Sequence, residues 1–113
     1  MKKIEATIKI NKVDVVASAI VDIVDGFTIL EGNGRGSGKR QTLGSGRGTS
    51  TVVSDYNKVA IISIIVNDSE VEKISEVIGN AAFSGEKGDG IITVSDIESI
   101  LNITTKKKNS KLL

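Results

Sequence analysis

VAIISIIV, residues 59–66, is a nearly unbroken run of β-branched side chains bounded by polar residues. A run this short is predicted as a strand and not as a helix, with apolar side chains on both of its faces. Successive residues of a strand point to opposite faces. Both faces of the sheet that holds this segment therefore need cover, and the rest of the chain has to be read for what supplies it.

Toward the N-terminus, KKIEATIKI (2–10) alternates cleanly. Ile4, Ala6, Ile8 and Ile10 point one way, with Lys3, Glu5, Thr7 and Lys9 between them, the period of a strand with one buried face. NKVDVVASAIVDIVDG (11–26) then carries Val13, Val16, Ala17, Ile20, Ile23 and Val24 at helical spacing, with Asn11 as N-cap and Gly26 at the C-terminus. FTILE (27–31) reads as a short second strand. Beyond the apolar run, Ser69 and Glu72 form a capping box for a helix whose stripe is Val71, Ile74, Ile78 and Ala81 or Ala82, ended by Gly85. GEKGDG (85–90) turns the chain into a fourth strand, IITV. DIESIL is expected as a short helical turn, and TTKKKNSKLL as a frayed basic tail.

The order is β-α-β-(long loop)-β-α-β. It predicts an α+β, ferredoxin-like βαββαβ sandwich, with two helices on one face of a four-stranded antiparallel sheet. At 113 residues the chain reads as one domain, 1–113, with a mobile segment at 33–57 and a basic tail at 105–113. No segment is left over to cover the second face of the sheet. A homo-oligomer packed sheet against sheet follows, because a sheet that greasy left bare would be an aggregation hazard.

Composition narrows the chemistry. The net charge is +1, with no histidine, cysteine or proline. Zinc sites of the usual types, cysteine nucleophiles and histidine general bases are excluded, and no catalytic or metal-binding residue is expected. No apolar run is long enough to span a membrane, and the opening lysines lead into an alternating strand, not a signal peptide. A cytoplasmic setting is expected, consistent with the lack of disulfides.

The loop between the second and third strands contains GNGRGSGKRQTLGSGRG (32–48), with seven glycines, four cations and no carboxylate. It is not a Walker A loop. Asn33 stands at the first glycine, Arg40 stands where the magnesium-binding hydroxyl belongs, and a strand follows where a helix is required. Nucleic acid is disfavoured, since the tract has no aromatic residue on which a base could stack. A solvated insert remains open beside a loop that meets phosphate or an acidic surface through Arg35, Lys39, Arg40 and Arg47. Gly85, Gly88 and Gly90 are likewise open to two readings, an anion cradle of consecutive N–H groups or an ordinary helix-to-strand turn.

Four features share one resemblance. MKKIEATIKINKVD at the start, GFT at 26–28, the glycine-rich insert with Arg47-Gly48, and FSGEKGDGIITVSDIESI at 83–100 together resemble the PII-type nitrogen-regulatory signal proteins over nearly the whole chain. The resemblance implies a homotrimer with its sheets toward the centre and ATP or ADP bound between subunits. It also implies a long T-loop that docks on a target such as a membrane transporter or a metabolic enzyme. By the same resemblance Gly26 and Thr28 are pocket walls, Gly36 is the T-loop base, and Gly85, Glu86, Lys87, Gly88, Asp89 and Gly90 are the B-loop.

The chain departs from the family pattern at several of these positions. Ile91 replaces the B-loop lysine that meets phosphates, and Asn102-Ile103-Thr104 replaces an R-x-R on the same phosphates. Ser63 stands for the glutamate that reads the adenine edge. GRGSGKR lacks the glutamine that helps hold magnesium and 2-oxoglutarate, and Thr51 falls near the tyrosine uridylylated in some members. Each lost charge-assisted hydrogen bond is worth about 1.5–3 kcal/mol. A divergent, non-enzymatic PII-like regulator is therefore expected, binding ADP, ATP or a related effector without a requirement for magnesium. Arg35, Lys39, Arg40 and Arg47 are expected to compensate at the phosphates. A trimer without pocket function, or an RNA or polyanion binder using the basic loop, are the alternatives.

Overall fold

The computed structural model describes residues 1–36, 38, 40, 42–44, 51–53 and 55–108. Strand β1 (Lys2–Lys9) leads through a 3-10 turn (Ile10–Lys12) into helix α1 (Val13–Ile20), then β2 (Thr28–Gly34). The short strands β3 (Thr42–Gly44) and β4 (Thr51–Val53) pair with each other, and β5 (Asn57–Val66) returns to the main sheet. A second 3-10 turn (Asp68–Glu70), helix α2 (Val71–Ala82) and β6 (Gly90–Asp96) complete the fold.

The main sheet is antiparallel in the order β2-β5-β1-β6. This is the α+β, ferredoxin-like arrangement, and its centre is the pair formed by the apolar run and the alternating opening strand. Directly paired residues share a face. Ile62 opposite Ala6 and Ile64 opposite Ile4 therefore fix one register and one buried side. Ile4, Ala6, Ile8, Ala60, Ile62, Ile64 and Val66 on that side are covered by Val16 and Ile20 of α1 and by Ile74, Ile78 and Ala82 of α2. No buried polar or charged residue interrupts this core among the described residues.

The other face carries no helix. Leu30 stands opposite Ile61, Ile61 opposite Thr7, and Thr7 opposite Ile91, forming one row across the four strands. Leu30 is 60% and Ile91 65% exposed in the single chain. The two-faced apolar character expected from residues 59–66 is present, and one face is covered by no helix among the described residues.

Several local expectations are corrected. Helix α1 ends at Ile20, well before Gly26, and only a turn closed by Val24 N–H on the Ile20 carbonyl follows it. Asp22 and Asp25 place negative charge at the negative end of the helix dipole, which opposes continuation. Neither Asn11 nor the Ser69–Glu72 box caps a helix, because each helix is preceded by a 3-10 turn that shifts its first residues. Asn67 Nδ2 instead donates to Glu70 Oε1 at 3.2 Å. Gly85 lies beyond the true end of α2 at Ala82, in the following turn. β2 runs into the glycine tract as far as Gly34, and the segment 33–57 contains the β3–β4 ribbon. DIESIL forms no helix. The tail is ordered through Lys108 as a hairpin, and Lys111 lies outside the described residues. No helix among the described residues is long and apolar enough to cross a membrane.

Candidate functional site

The ends of β1, β2, β5 and β6 converge at one edge of the sheet, where Lys9 pairs with Val59, Ile8 with Gly90, and Gly34 with Asn57. A cavity of about 510 Å³ opens there. Lys9, Arg35 and Lys58 contribute cations to its lining, with Lys9 also paired to Asp89 just outside it, and no carboxylate lines it among the described residues. Gly34, Gly36, Gly38, Gly88 and Gly90 leave backbone exposed to whatever enters. The volume lies within the usual range of small-molecule sites, and the cations in the lining give it positive character.

Two glycine segments close the cavity against each other. A Cβ added at Gly38 would stand 2.8 Å from the Gly88 Cα, and one at Gly88 would stand 2.7 Å from the Gly38 Cα. Glycine at both positions allows the base of the long loop to touch the turn before β6. Gly88 has φ +90°, a backbone conformation that a side chain would strain.

The turn itself is organised by Asp89. Its carboxylate accepts from the Ser84 amide at 2.7 Å, the Gly85 amide at 3.0 Å and the Ser84 hydroxyl, and it pairs with Lys9 at 3.2 Å. A pair of N–H groups does hold an anion here, but they belong to Ser84 and Gly85, and the anion is the chain's own Asp89. The Ser84 hydroxyl, then the Ser84 and Gly85 amides and Lys9, hold this carboxyl well below the usual range. A depressed carboxyl stabilises the fold fully above its unfolded value of about 3.9, and less as pH falls toward the folded value. The difference in urea midpoint between the parent protein and Asp89→Asn should therefore be constant from pH 5 to 8 and shrink below pH 4. An unchanged difference at pH 3 would contradict this.

Of the positions singled out in the sequence, Arg35, Gly36, Gly88, Gly90 and Ile91 meet in the cavity. Gly85, Glu86 and Lys87 are exposed on the turn, and Glu86 approaches Lys9 at 3.9 Å. Arg40 is half-buried and does not line the cavity, while Lys39 and Arg47 lie outside the described residues. Thr28 and Ser63 face each other across β2 and β5 on the open face, four residues along β5 from Val59, or about 13 Å. Gly26 precedes β2, and none of these three reaches the cavity of its own chain. Asn102, at a position where the resemblance places a phosphate-binding cation, uses its side-chain oxygen to accept from the Thr104 and Thr105 amides.

Lys9 and Lys58 were not singled out from the sequence. Alternation put Lys9 at the end of the outward row of β1, but only the register with β5 shows what it faces. Lys58 lies one residue before the apolar run whose start marked the expected strand.

The family model for nitrogen regulatory protein P-II matches residues 1–107. The chain is 39% identical to nitrogen regulatory protein P-II of Porphyra purpurea over 114 aligned positions, covering all of both chains. It is 40% identical to that of Azospirillum brasilense, with 96% of each chain covered, and 40% identical to that of Rhizobium meliloti, with 93% of each covered. The match reaches from the opening strand through the long loop to the hairpin after β6. The chain belongs to the nitrogen regulatory protein P-II family, and it is a regulatory signal transducer and not an enzyme.

Proposed function

We propose that the protein is a cytoplasmic, homotrimeric sensor that binds an adenine nucleotide, ADP or ATP, at the cavity where the strands end. The reading rests on one observation above all, a cavity lined by Lys9, Arg35 and Lys58 and, among the described residues, by no carboxylate. These cations offset the phosphate ligands missing at Ile91, Asn102 and Thr104. Of the two described loop cations expected to compensate, Arg35 lines the cavity and Arg40 does not. Thr28 and Ser63 lie outside the cavity of their own chain, which suits a site completed by a neighbouring subunit. The open sheet face is the surface through which such a neighbour would pack.

The long loop would carry the signal. Its base touches the Gly88 turn, so an anion between them bears on both segments. A ligand shifts loop states only by its differential affinity for them. The target is a membrane transporter or a metabolic enzyme, reached by the loop between β2 and β5.

Calorimetric titration with ADP, ATP and AMP, with and without magnesium, tests the reading. Micromolar binding of ADP or ATP is expected. The double substitution Arg35→Gln/Lys58→Gln removes two charge-assisted contacts and should weaken that binding by at least about 100-fold. No heat from the parent protein, or equal affinity in the double variant, would rule out a nucleotide at this cavity. A stable trimer that binds none of the three would favour a scaffold without pocket function.

A further inference from the structure

Lys9 belongs to two places at once. It ends β1 in the lining of the cavity, and its ammonium meets the turn before β6, Asp89 at 3.2 Å and Glu86 at 3.9 Å. The two carboxylates are held differently. Asp89 accepts from the Ser84 amide, the Ser84 hydroxyl and the Gly85 amide, so it keeps three donors of its own turn whatever Lys9 does. The Glu86 carboxylate has Lys9 and no other hydrogen-bond or ion-pair partner among the described residues. Lys87, the next residue, forms an ion pair with neither carboxylate.

At 3.9 Å the contact of Lys9 with Glu86 is an ion pair without a hydrogen bond, and such a pair exchanges partners readily. A phosphate bound on the cavity side of the same ammonium would take Lys9 from Glu86. It would also stand within about 8 Å of the Glu86 carboxylate, inside roughly one Debye length at physiological salt. Like charges at that separation still repel, and the repulsion grows with the charge of the ligand.

We infer that Glu86 is a specificity-determining residue of the cavity, a competitor for Lys9 that lowers affinity for phosphate anions in proportion to their charge. The inference rests on the reading that a phosphate-bearing ligand enters the cavity, and it adds which of them the site prefers. Lys9 faces two carboxylates, so the positive charge offered to a ligand is less than three lining cations would present. A triphosphate loses more to Glu86 than a monophosphate does. The carboxylate therefore shifts the site toward AMP and ADP, relative to the same cavity without it.

The test is calorimetric titration of the parent, Glu86→Gln and Glu86→Lys with AMP, ADP, ATP and inorganic tripolyphosphate. Magnesium is left out because it would cancel part of the ligand charge, and the titrations are run at low salt and in about 0.5 M chloride. Glu86→Gln should bind AMP about twofold and ATP about fivefold more tightly than the parent, with ADP between them. Glu86→Lys should gain more. The gains should shrink in high salt, and most of the Glu86→Gln gain should vanish in a Lys9→Gln background. Loss of a side chain that merely supported the turn would weaken binding or leave it unchanged. Both variants keep the Glu86 amide that donates to the Ser84 hydroxyl at 3.2 Å, and unchanged circular dichroism will show that they fold.

Nucleotide binding by the parent that Glu86→Gln leaves unchanged or weakens overturns the inference and leaves the nucleotide reading standing. A gain equal for all four ligands and constant with salt also overturns it, since that gain would come from a change in the turn and not from charge. Binding of tripolyphosphate alone, tightened in Glu86→Gln, supports the inference and removes adenine from the reading. Binding of none of the four by the parent or either variant overturns both.

Discussion

Gly90→Ala is expected to destabilise the fold by about 3 kcal/mol or more, a large share of a small domain's stability. Gly90 begins β6 opposite Ile8 of the central strand, with φ +122°. Two effects add there. The backbone conformation disfavours any side chain by about 1–2 kcal/mol, and the new Cβ would overlap the Thr7 carbonyl oxygen and lie 3.2 Å from the Ile8 Cα. Neither neighbour can give way, because both are main-chain atoms of the strand at the centre of the sheet. Relief requires β6 to withdraw from β1 at its first residue, which also opens the wall of the cavity. Gly32→Ala is the internal control, since nothing lies within 4 Å of its Cβ position and its φ is not in the positive range. That variant should change stability by less than about 0.5 kcal/mol. Urea denaturation of the pair checks the argument, and equal losses from the two variants would refute it.

Gly90 illustrates what the sequence makes legible and what it does not. GDG before an apolar pair marked a turn into a strand, and that reading is correct. Nothing local shows that Gly90 must lack a side chain because β1 passes behind it, for this depends on pairing between residues more than 80 positions apart. The same division runs through the chain. The sheet and both helices follow from periodicity in single segments, where Ile4, Ala6 and Ile8 or Ile74 and Ile78 carry the pattern by themselves. The helix caps were misplaced because 3-10 turns at residues 10–12 and 68–70 have no strong sequence signature. The cavity was half legible. Arg35, Gly36, Gly88 and Gly90 stand in glycine-rich segments that draw attention, whereas Lys9 and Lys58 are single lysines at strand ends, made neighbours only by register. The sequence offers Gly85, Gly88 and Gly90 either as an anion cradle or as a turn, but the amides that hold an anion are those of Ser84 and Gly85, and its identity, Asp89, follows only from the loop's own hydrogen bonds.

Ile61→Asp should convert the proposed trimer to a monomer without unfolding the chain. Ile61 lies at the centre of the row Leu30–Ile61–Thr7–Ile91, on the face that no helix covers. Ile61 is half-buried in the single chain and lies outside the core, so an aspartate there still reaches water, and the core of Ile62 and Ile64 on the opposite side is left intact. Packed sheet to sheet, the same carboxylate would be desolvated with no cation opposite it in the row. An uncompensated buried charge costs several kcal/mol, and threefold symmetry imposes that cost once per subunit. The sum exceeds what an interface of ordinary size gains, so association should be lost at micromolar concentration. Sedimentation equilibrium will read this as a fall from three times the monomer mass to one, with far-UV circular dichroism unchanged. The variant also separates the two parts of the proposal. It leaves Lys9, Arg35 and Lys58 in place, so loss of nucleotide binding along with assembly would mean that the site needs groups from a second subunit, with Thr28 and Ser63 the first candidates. Retention of binding by the monomer would confine the site to one chain. Persistence of the parent's mass in Ile61→Asp would show that the open face is not where the copies meet.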